Sequence, residues 1–121
     1  MTERYAQAEK TIRDHIAAFN AQDLQSLLTG LAEDAVWQTG QHTCCGRDEL
    51  TTLFSEAFRT IAPRLAIRSI LIDQDRVACE LLETMTIEGA LREDFIAGFY
   101  YVDANGVITS AKIYRQGSAD V

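Results

Sequence analysis

The 121-residue sequence has little proline, glycine or cysteine: one proline, seven glycines and three cysteines. Such a composition excludes a long disordered or collagen-like tract. A chain of this length falls within the usual size of one domain, and it is long enough to bury a sizeable core without a disulfide or a structural metal ion. We therefore expect residues 1–121 to form a single domain.

The sequence also lacks apolar runs that cross membranes and an excess of basic residues. No run approaches the roughly 20 apolar residues that a bilayer requires, and the first five residues lack the charged and apolar regions of a signal peptide. Eleven basic against eighteen acidic residues give a net charge of −7, which disfavours binding to nucleic acid or to anionic membranes. The odd number of cysteines predicts a reducing, cytoplasmic location and no metal.

Apolar residues at three- and four-residue spacing predict three helices in the first half of the chain. The first covers residues 3–20, and the second is a short helix capped by Asp23. The third opens at Asp48 and ends before Pro63. Residues of this helix that we expect to be buried are Leu53, Phe54 and Ile61.

Apolar and alternating runs between short polar turns predict five strands. They cover residues 35–40, 65–72, 77–87, 91–102 and 107–115. Consecutive strands with short turns form an antiparallel meander, and helices followed by strands are typical of an α+β domain. The sequence therefore predicts three helices packed on a curved, mainly antiparallel sheet.

One charged residue interrupts an otherwise apolar strand face. Since side chains alternate along a strand, the inward positions of the third predicted strand share one face. They are Val77, Cys79, Leu81, Glu83, Met85 and Ile87. A carboxylate on such a face pairs, takes up a proton or reaches a cavity. Two interpretations stay open: Glu83 is an acid/base group, or it bonds a backbone amide or an arginine and does no chemistry.

His15 lies in the middle of the apolar stripe of the first helix, three residues after Ile12 and four before Phe19. A carboxylate beside an imidazole fixes its tautomer and raises its basicity. His15 is therefore either a partner of Glu83 or a histidine satisfied within the core.

Cys44 and Cys45 are adjacent in a predicted polar turn. They are too close for easy mutual bridging, and with His42 they form a poor zinc set. We interpret them as a surface pair.

The phase of the last two strands decides which side chains reach the helices. We assign inward positions to Phe95, Ala97, Phe99, Tyr101, Ala111, Ile113 and Arg115. The outward set is then Ile96, Gly98, Tyr100, Val102, Ile108 and Tyr114. This outward set is apolar and aromatic, which predicts a homodimer through it unless the chain itself covers it.

That phase requires a three-residue loop or a bulge near residues 88–89. A two-residue loop would instead pair Glu83 with Asp94 and reverse the face of the following strand. The predicted core includes Leu81 and Phe99 in addition to the helix residues.

Four segments resemble the nuclear transport factor 2-like superfamily, and the SnoaL-like branch is the best match. They are IAAFNAQDL at 16–24, LAEDAVW at 31–37, GRDEL at 46–50 and NGVIT at 105–109, followed by Tyr114. The resemblance implies a cone in which three helices and a curved sheet enclose an apolar pocket. Members include ketosteroid isomerase, polyketide cyclases, limonene epoxide hydrolase, dehydratases and non-catalytic binding modules, so the fold leaves the reaction open.

Two catalytic sets of the superfamily are not retained in this chain. The helix tyrosine and the two aspartates of the isomerase fall at His15, Thr39 and Ala97. The tyrosine and asparagine of the epoxide hydrolase fall at Trp37 and Thr39, and its Asp–Arg–Asp relay falls at Glu83, Leu81 and Ile113. SnoaL-like cyclases use one inward carboxyl group, which supports Glu83 as a pocket residue.

The first hypothesis is an isomerase, cyclase, lyase or hydrolase that uses no cofactor and acts on a small apolar molecule. Glu83 would be the general acid or base, and His15 would orient it or donate a proton. The residues predicted to bind substrate are Trp37, Thr39, Leu81, Phe99, Tyr101 and Ile113. The alternatives are a non-catalytic small-molecule-binding module and a dimerisation domain of the same fold.

Overall fold

The computed structural model describes residues 2–116, which contain three helices and six strands. The helices are α1 (Thr2–Asn20), α2 (Leu24–Thr29) and α3 (Gly46–Thr60). The strands are β1 (Leu31–Thr39), β2 (His42–Cys45), β3 (Arg64–Asp73), β4 (Arg76–Ile87), β5 (Ala90–Val102) and β6 (Ile108–Arg115). The predicted α+β class is confirmed.

Short polar contacts define where the second and third helices begin. The Asp23 carboxylate accepts a hydrogen bond from the backbone N–H of Ser26 at 3.2 Å, so the predicted cap of α2 is confirmed. The Glu49 carboxylate accepts a hydrogen bond from the backbone N–H of Cys45 at 2.8 Å. This contact closes the first turn of α3, which begins two residues before the predicted start at Asp48.

The six strands form one sheet in the order β2-β1-β6-β5-β4-β3. Every neighbouring pair is antiparallel except β1 and β6, which are parallel, so the prediction of a mainly antiparallel sheet is confirmed. The predicted turn that contains Cys44 and Cys45 is wrong, because these residues form β2 and Cys44 pairs with Trp37 of β1. An edge strand of four mostly polar residues carries no apolar alternation to reveal it.

The helices pack on one side of this sheet, which we call the inner face. α1 contacts β3 and β4, and α3 contacts β1. Among the most buried core residues are Ile12, Leu27, Leu50, Leu81 and Ile108. Phe54 is buried as predicted, whereas Leu53 and Ile61 are half-buried. Within the described part of the chain, the core also buries the polar side chains of His15 and Glu83.

The predicted phase of β5 is wrong. β4 and β5 are joined by a two-residue turn, Glu88 and Gly89, whose φ angles are 52° and 80°. Positive φ at both central residues matches the turn types that suit a tight hairpin, and Glu83 consequently pairs with Asp94. The side chains of Phe95, Phe99 and Tyr101 therefore point away from the helices, on what we call the outer face, and all three are exposed.

This inversion also corrects the predicted dimer contact. Five members of the outward set lie in the core: Ile96, Gly98, Tyr100, Val102 and Ile108. Tyr114 alone of that set is exposed. A Cβ atom at Gly98 would lie 2.5 Å from the hydroxyl oxygen of Tyr100, so this glycine makes room for a ring of its own chain. The homodimer through the outer face stays a prediction, and the exposed aromatic residues of that face are Phe95, Phe99, Tyr101 and Tyr114.

Two observations on membranes and metals hold within residues 2–116. No helix there is long and apolar enough to cross a membrane. No three His, Cys, Asp or Glu side chains of that range are grouped so that they could hold a metal ion. The cytoplasmic location stays a prediction.

Candidate functional site

Two carboxylates and one arginine meet at one end of the inner face. Glu83 of β4 pairs directly with Asp94 of β5, and Arg115 lies on β6, the next strand. The Arg115 Nη1 atom lies 2.5 Å from Oε1 of Glu83 and 3.4 Å from Oδ2 of Asp94. One guanidinium nitrogen thus donates to two carboxylates. We call Glu83, Arg115 and Asp94 the acid–arginine–acid cluster.

The cluster runs from the core to the solvent. The Glu83 side chain is 7% exposed, that of Asp94 18% and that of Arg115 26%. Arg92 continues the series, with its Nη2 atom 3.3 Å from Asp94 Oδ2 and a side chain that is 54% exposed. Two acids and two bases balance, so the four side chains together carry no net charge. The buried end of the series is the Glu83 carboxylate.

Sequence reasoning assigned two members of the cluster to the inner face and named the third only as an alternative. Alternation along β4 and β6 correctly predicts inward side chains for Glu83 and Arg115, and an arginine is one of the predicted partners of Glu83. The adopted phase of β5 excluded Asp94, which pairs with Glu83 only in the alternative with a two-residue loop. The signal that identifies it is the turn at Glu88 and Gly89, since a two-residue hairpin places Asp94 opposite Glu83.

His15 lies among aromatic rings. Its ring centroid is 5.3 Å from that of Trp37 and 5.9 Å from that of Tyr100. Its Nδ1 atom is buried and has no hydrogen-bond partner within residues 2–116. Burial lowers the pKa of His15 to about 4, so the imidazole is neutral at pH 7. A neutral imidazole offers a ligand one N–H donor and one acceptor, but it is not a cationic acid.

The structure does not bring His15 to Glu83. The Trp37 and Tyr100 residues that contact His15 lie in one row across β1, β6 and β5, whereas Glu83 and Asp94 lie three same-face positions further along the sheet. Six residues of extended strand separate Tyr100 from Asp94, which corresponds to about 20 Å between their Cα atoms. No hydrogen bond joins His15 to Glu83 in the described part of the chain. The sequence-based partnership between them is therefore replaced by the partnership between Glu83 and Arg115.

A sequence profile of the SnoaL-like domain matches residues 12–111. The chain belongs to the SnoaL-like family. No protein from the curated set matches this SnoaL-like chain in sequence.

Solved structures with the same fold include two related to epoxide chemistry. An epoxide hydrolase from M. tuberculosis, described as LEH-like, is 20% identical over 93% of this chain and 84% of its own, with a TM-score of 0.84. SalBIII is an epoxide hydrolase/cyclase-like enzyme in pyran ring formation of the polyether salinomycin. It is 17% identical over 95% of this chain and 94% of its own, with a TM-score of 0.86.

A third structure is a hypothetical protein from Catenulispora acidiphila with a ketosteroid isomerase-like fold, in complex with trimethylamine. It is 19% identical over 86% of this chain and 83% of its own, with a TM-score of 0.79. At these identities the likeness shows the shared fold, and the predicted nuclear transport factor 2-like architecture is confirmed.

The residues predicted to bind substrate divide between the two faces of this SnoaL-like sheet. Trp37 and Leu81 are buried on the inner face, where Thr39 and Ile113 are half-buried. Phe99 and Tyr101 lie on the outer face and are about two-fifths exposed. Their assignment to an inner pocket is wrong because β5 is turned over relative to the predicted phase. Tyr100 takes the inner position.

Proposed function

We propose that this SnoaL-like chain is an acid/base enzyme that needs no cofactor and reacts through the acid–arginine–acid cluster. The observation that carries this proposal is the single Nη1 atom of Arg115 that contacts both Glu83 and Asp94. Charge-assisted hydrogen bonds hold both carboxylates in a fixed geometry. Two neighbouring carboxyl groups in unequal surroundings can divide the roles of acid and base, and Glu83 is the more buried of the two.

The substrate that suits this face is neutral and mainly apolar. Arg115 and Arg92 both already contact carboxyl groups of the cluster, so neither is free to bind an anionic substrate. The core residues beside Glu83 on the inner face, among them Leu81 and Ile96, are apolar.

The reaction that we propose is the opening of an epoxide. One carboxylate removes a proton from water as the water oxygen attacks a ring carbon. The carbon–oxygen bond of the ring breaks, and the other carboxyl group gives its proton to the ring oxygen. The product is a diol, or a cyclic ether where a hydroxyl group of the substrate replaces water. The likeness to two epoxide-related structures supports this class of reaction.

The acid–arginine–acid cluster does not use all the positions at which the epoxide hydrolase relay falls in this sequence. The sequence comparison located the arginine and the second acid of the relay at Leu81 and Ile113, which are both aliphatic. In the structure Arg115 and Asp94 supply these groups from other positions on the same face. An acid–arginine–acid set is therefore present although the matching positions lack it.

A non-catalytic binding module is the second candidate. The observation that favours it is that Arg115 already pairs with both carboxylates, which leaves each partly satisfied without a ligand. Such a module would bind a neutral ligand without converting it.

Turnover of a panel of neutral cycloalkene and aryl epoxides in ¹⁸O-labelled water, followed by mass spectrometry of the diol, tests the proposal. We expect Glu83→Gln to lower kcat by about 10²–10⁴-fold, because general acid–base catalysis contributes that much. Glu80→Gln is the matched control, since Glu80 lies on the same strand but is exposed on the other side. Equal rates for the two variants would contradict the proposal. Binding without turnover, unchanged in Glu83→Gln, would favour the binding module.

A further inference from the structure

Asp94 of the acid–arginine–acid cluster is shared between two arginines. Arg92 and Asp94 lie two residues apart on β5, so their side chains lie on the same face of the sheet. The Arg92 Nε atom lies 3.4 Å from Oδ1 of Asp94, and its Nη2 atom lies 3.3 Å from Oδ2. Arg92 thus contacts both carboxylate oxygens of Asp94, and Arg115 contacts Oδ2 as well.

The contacts within the cluster differ in length, and the difference indicates where it opens. The contact between Arg115 and Glu83 is 2.5 Å long, which is shorter than the usual charge-assisted hydrogen bond of about 2.7–2.9 Å. The contacts of Asp94 with both arginines are 3.3 and 3.4 Å long. Since hydrogen bonds weaken as they lengthen, a ligand displaces Asp94 from Arg115 more easily than it displaces Glu83.

The two arginines approach Asp94 from opposite directions along β5. Arg92 precedes Asp94 by two residues, whereas Arg115 pairs with Ile96, which follows Asp94 by two residues. A shift of the Asp94 carboxylate towards Arg92 therefore widens its gap to Arg115. The two cations compete for one carboxylate, and Arg92 approaches it from the more exposed end of the cluster.

We propose that Arg92 is a positioning residue that draws Asp94 away from Arg115 and so opens the cluster to the oxygen atom of a neutral ligand. The ligand oxygen accepts a hydrogen bond from Arg115 in place of Asp94, and Arg92 retains the Asp94 carboxylate. Glu83 stays paired with Arg115 throughout. This inference rests on the proposed function for the location of the substrate, but it does not depend on which reaction follows binding.

A role in folding alone would leave a different signature. Arg92 pairs with Met85 across the hairpin of β4 and β5, so its replacement could reduce the amount of folded chain. That loss lowers the apparent kcat and leaves both KM and ligand affinity of the remaining folded chain unchanged. Competition for Asp94 instead changes how tightly the folded chain binds its ligand.

Calorimetric titration with the neutral amide cyclohexanecarboxamide tests the exchange without any reaction. We expect Arg92→Gln to weaken amide binding about three- to fivefold, because Asp94 then closes on Arg115. Arg92→Lys keeps the charge and should restore most of the lost affinity. Arg68→Gln, the matched control, removes an exposed cation of β3 outside the cluster and should leave amide binding unchanged.

A double-mutant cycle shows whether Arg92 acts through Asp94. In the Asp94→Asn background the carboxylate for which the arginines compete is gone, so Arg92→Gln should no longer change the affinity for the amide. An equal loss of affinity in both backgrounds would overturn the inference, because Arg92 would then act by another route.

Turnover of the epoxide panel by the same variants separates this inference from the proposed reaction. Arg92→Gln should raise KM by about the same three- to fivefold and change kcat less than about twofold. Native affinity and native KM in Arg92→Gln, or a lower kcat with unchanged KM, would overturn the inference and leave the reaction standing. Amide binding that depends on Arg92 in a chain that opens no epoxide would support the inference and contradict the reaction. A native chain that binds no amide would contradict both.

Discussion

Tyr100 and Tyr101 are consecutive residues of β5, yet they lie in opposite environments. Tyr100 is 2% exposed among the core residues of the inner face, and Tyr101 is 42% exposed on the outer face. The inner face also holds the acid–arginine–acid cluster, whereas the outer face carries the exposed aromatic rings of Phe99 and Tyr114. Strand alternation thus places two unlike chemistries back to back, separated by the thickness of one sheet.

The largest effect that we expect concerns the stability of the two faces. Tyr100→Ala should lower the free energy of unfolding by about 3–5 kcal/mol, as for other buried aromatic residues. Tyr101→Ala, the adjacent control, should lower it by less than about 1 kcal/mol because its ring is partly solvated. Urea unfolding followed by circular dichroism measures both values. Similar losses of unfolding free energy for the two variants would show that Tyr100 and Tyr101 do not differ in burial as described.

A smaller effect concerns pH and the neutral histidine of the inner face. The pKa of His15 falls from 6.5 to about 4 on burial, so the unfolded chain binds more protons between these values. Stability is therefore complete above about pH 6.5 and declines as the pH falls towards 4. We expect His15 to make the free energy of unfolding about 2 kcal/mol lower at pH 5 than at pH 7.5.

The His15 contribution is isolated by comparing urea midpoints at the two pH values for the native chain and for His15→Phe. The variant should lose that part of the pH dependence. His42→Gln serves as the control, because His42 is exposed on β2 and its replacement should leave the profile unchanged. A native profile that matches that of His15→Phe would mean that His15 is protonated as readily in the folded chain as in the unfolded one.

Much of the fold was accessible from sequence because long periodic segments carry it. The apolar stripes of α1 and α3 and the runs of β3 to β6 identify the elements within a few residues. β2 was missed because its four residues show no apolar alternation. The predicted phase of β5 was wrong because one residue more or fewer in the preceding turn moves every following side chain to the opposite face of the sheet.

The wrong phase of β5 also accounts for most of the errors in the predicted site. Glu83 and Arg115 were placed on the correct face because they lie on strands whose phase was right. Asp94 was left off the inner face in the adopted phase, and Phe99 and Tyr101 were misplaced, because all three belong to β5. The distance between His15 and Glu83 depends on how α1 lies across the sheet, which periodicity does not specify.

A crystal structure of the native chain with a small neutral aliphatic amide tests the central claim most directly. An amide carries one acceptor for Arg115 and one donor for a carboxylate, so it mimics the polar centre of a neutral substrate. The account predicts that the amide lies on the inner face within hydrogen-bonding distance of Arg115 and of Glu83 or Asp94. An amide bound only on the outer face, with the ion pairs of the acid–arginine–acid cluster unchanged, would contradict it.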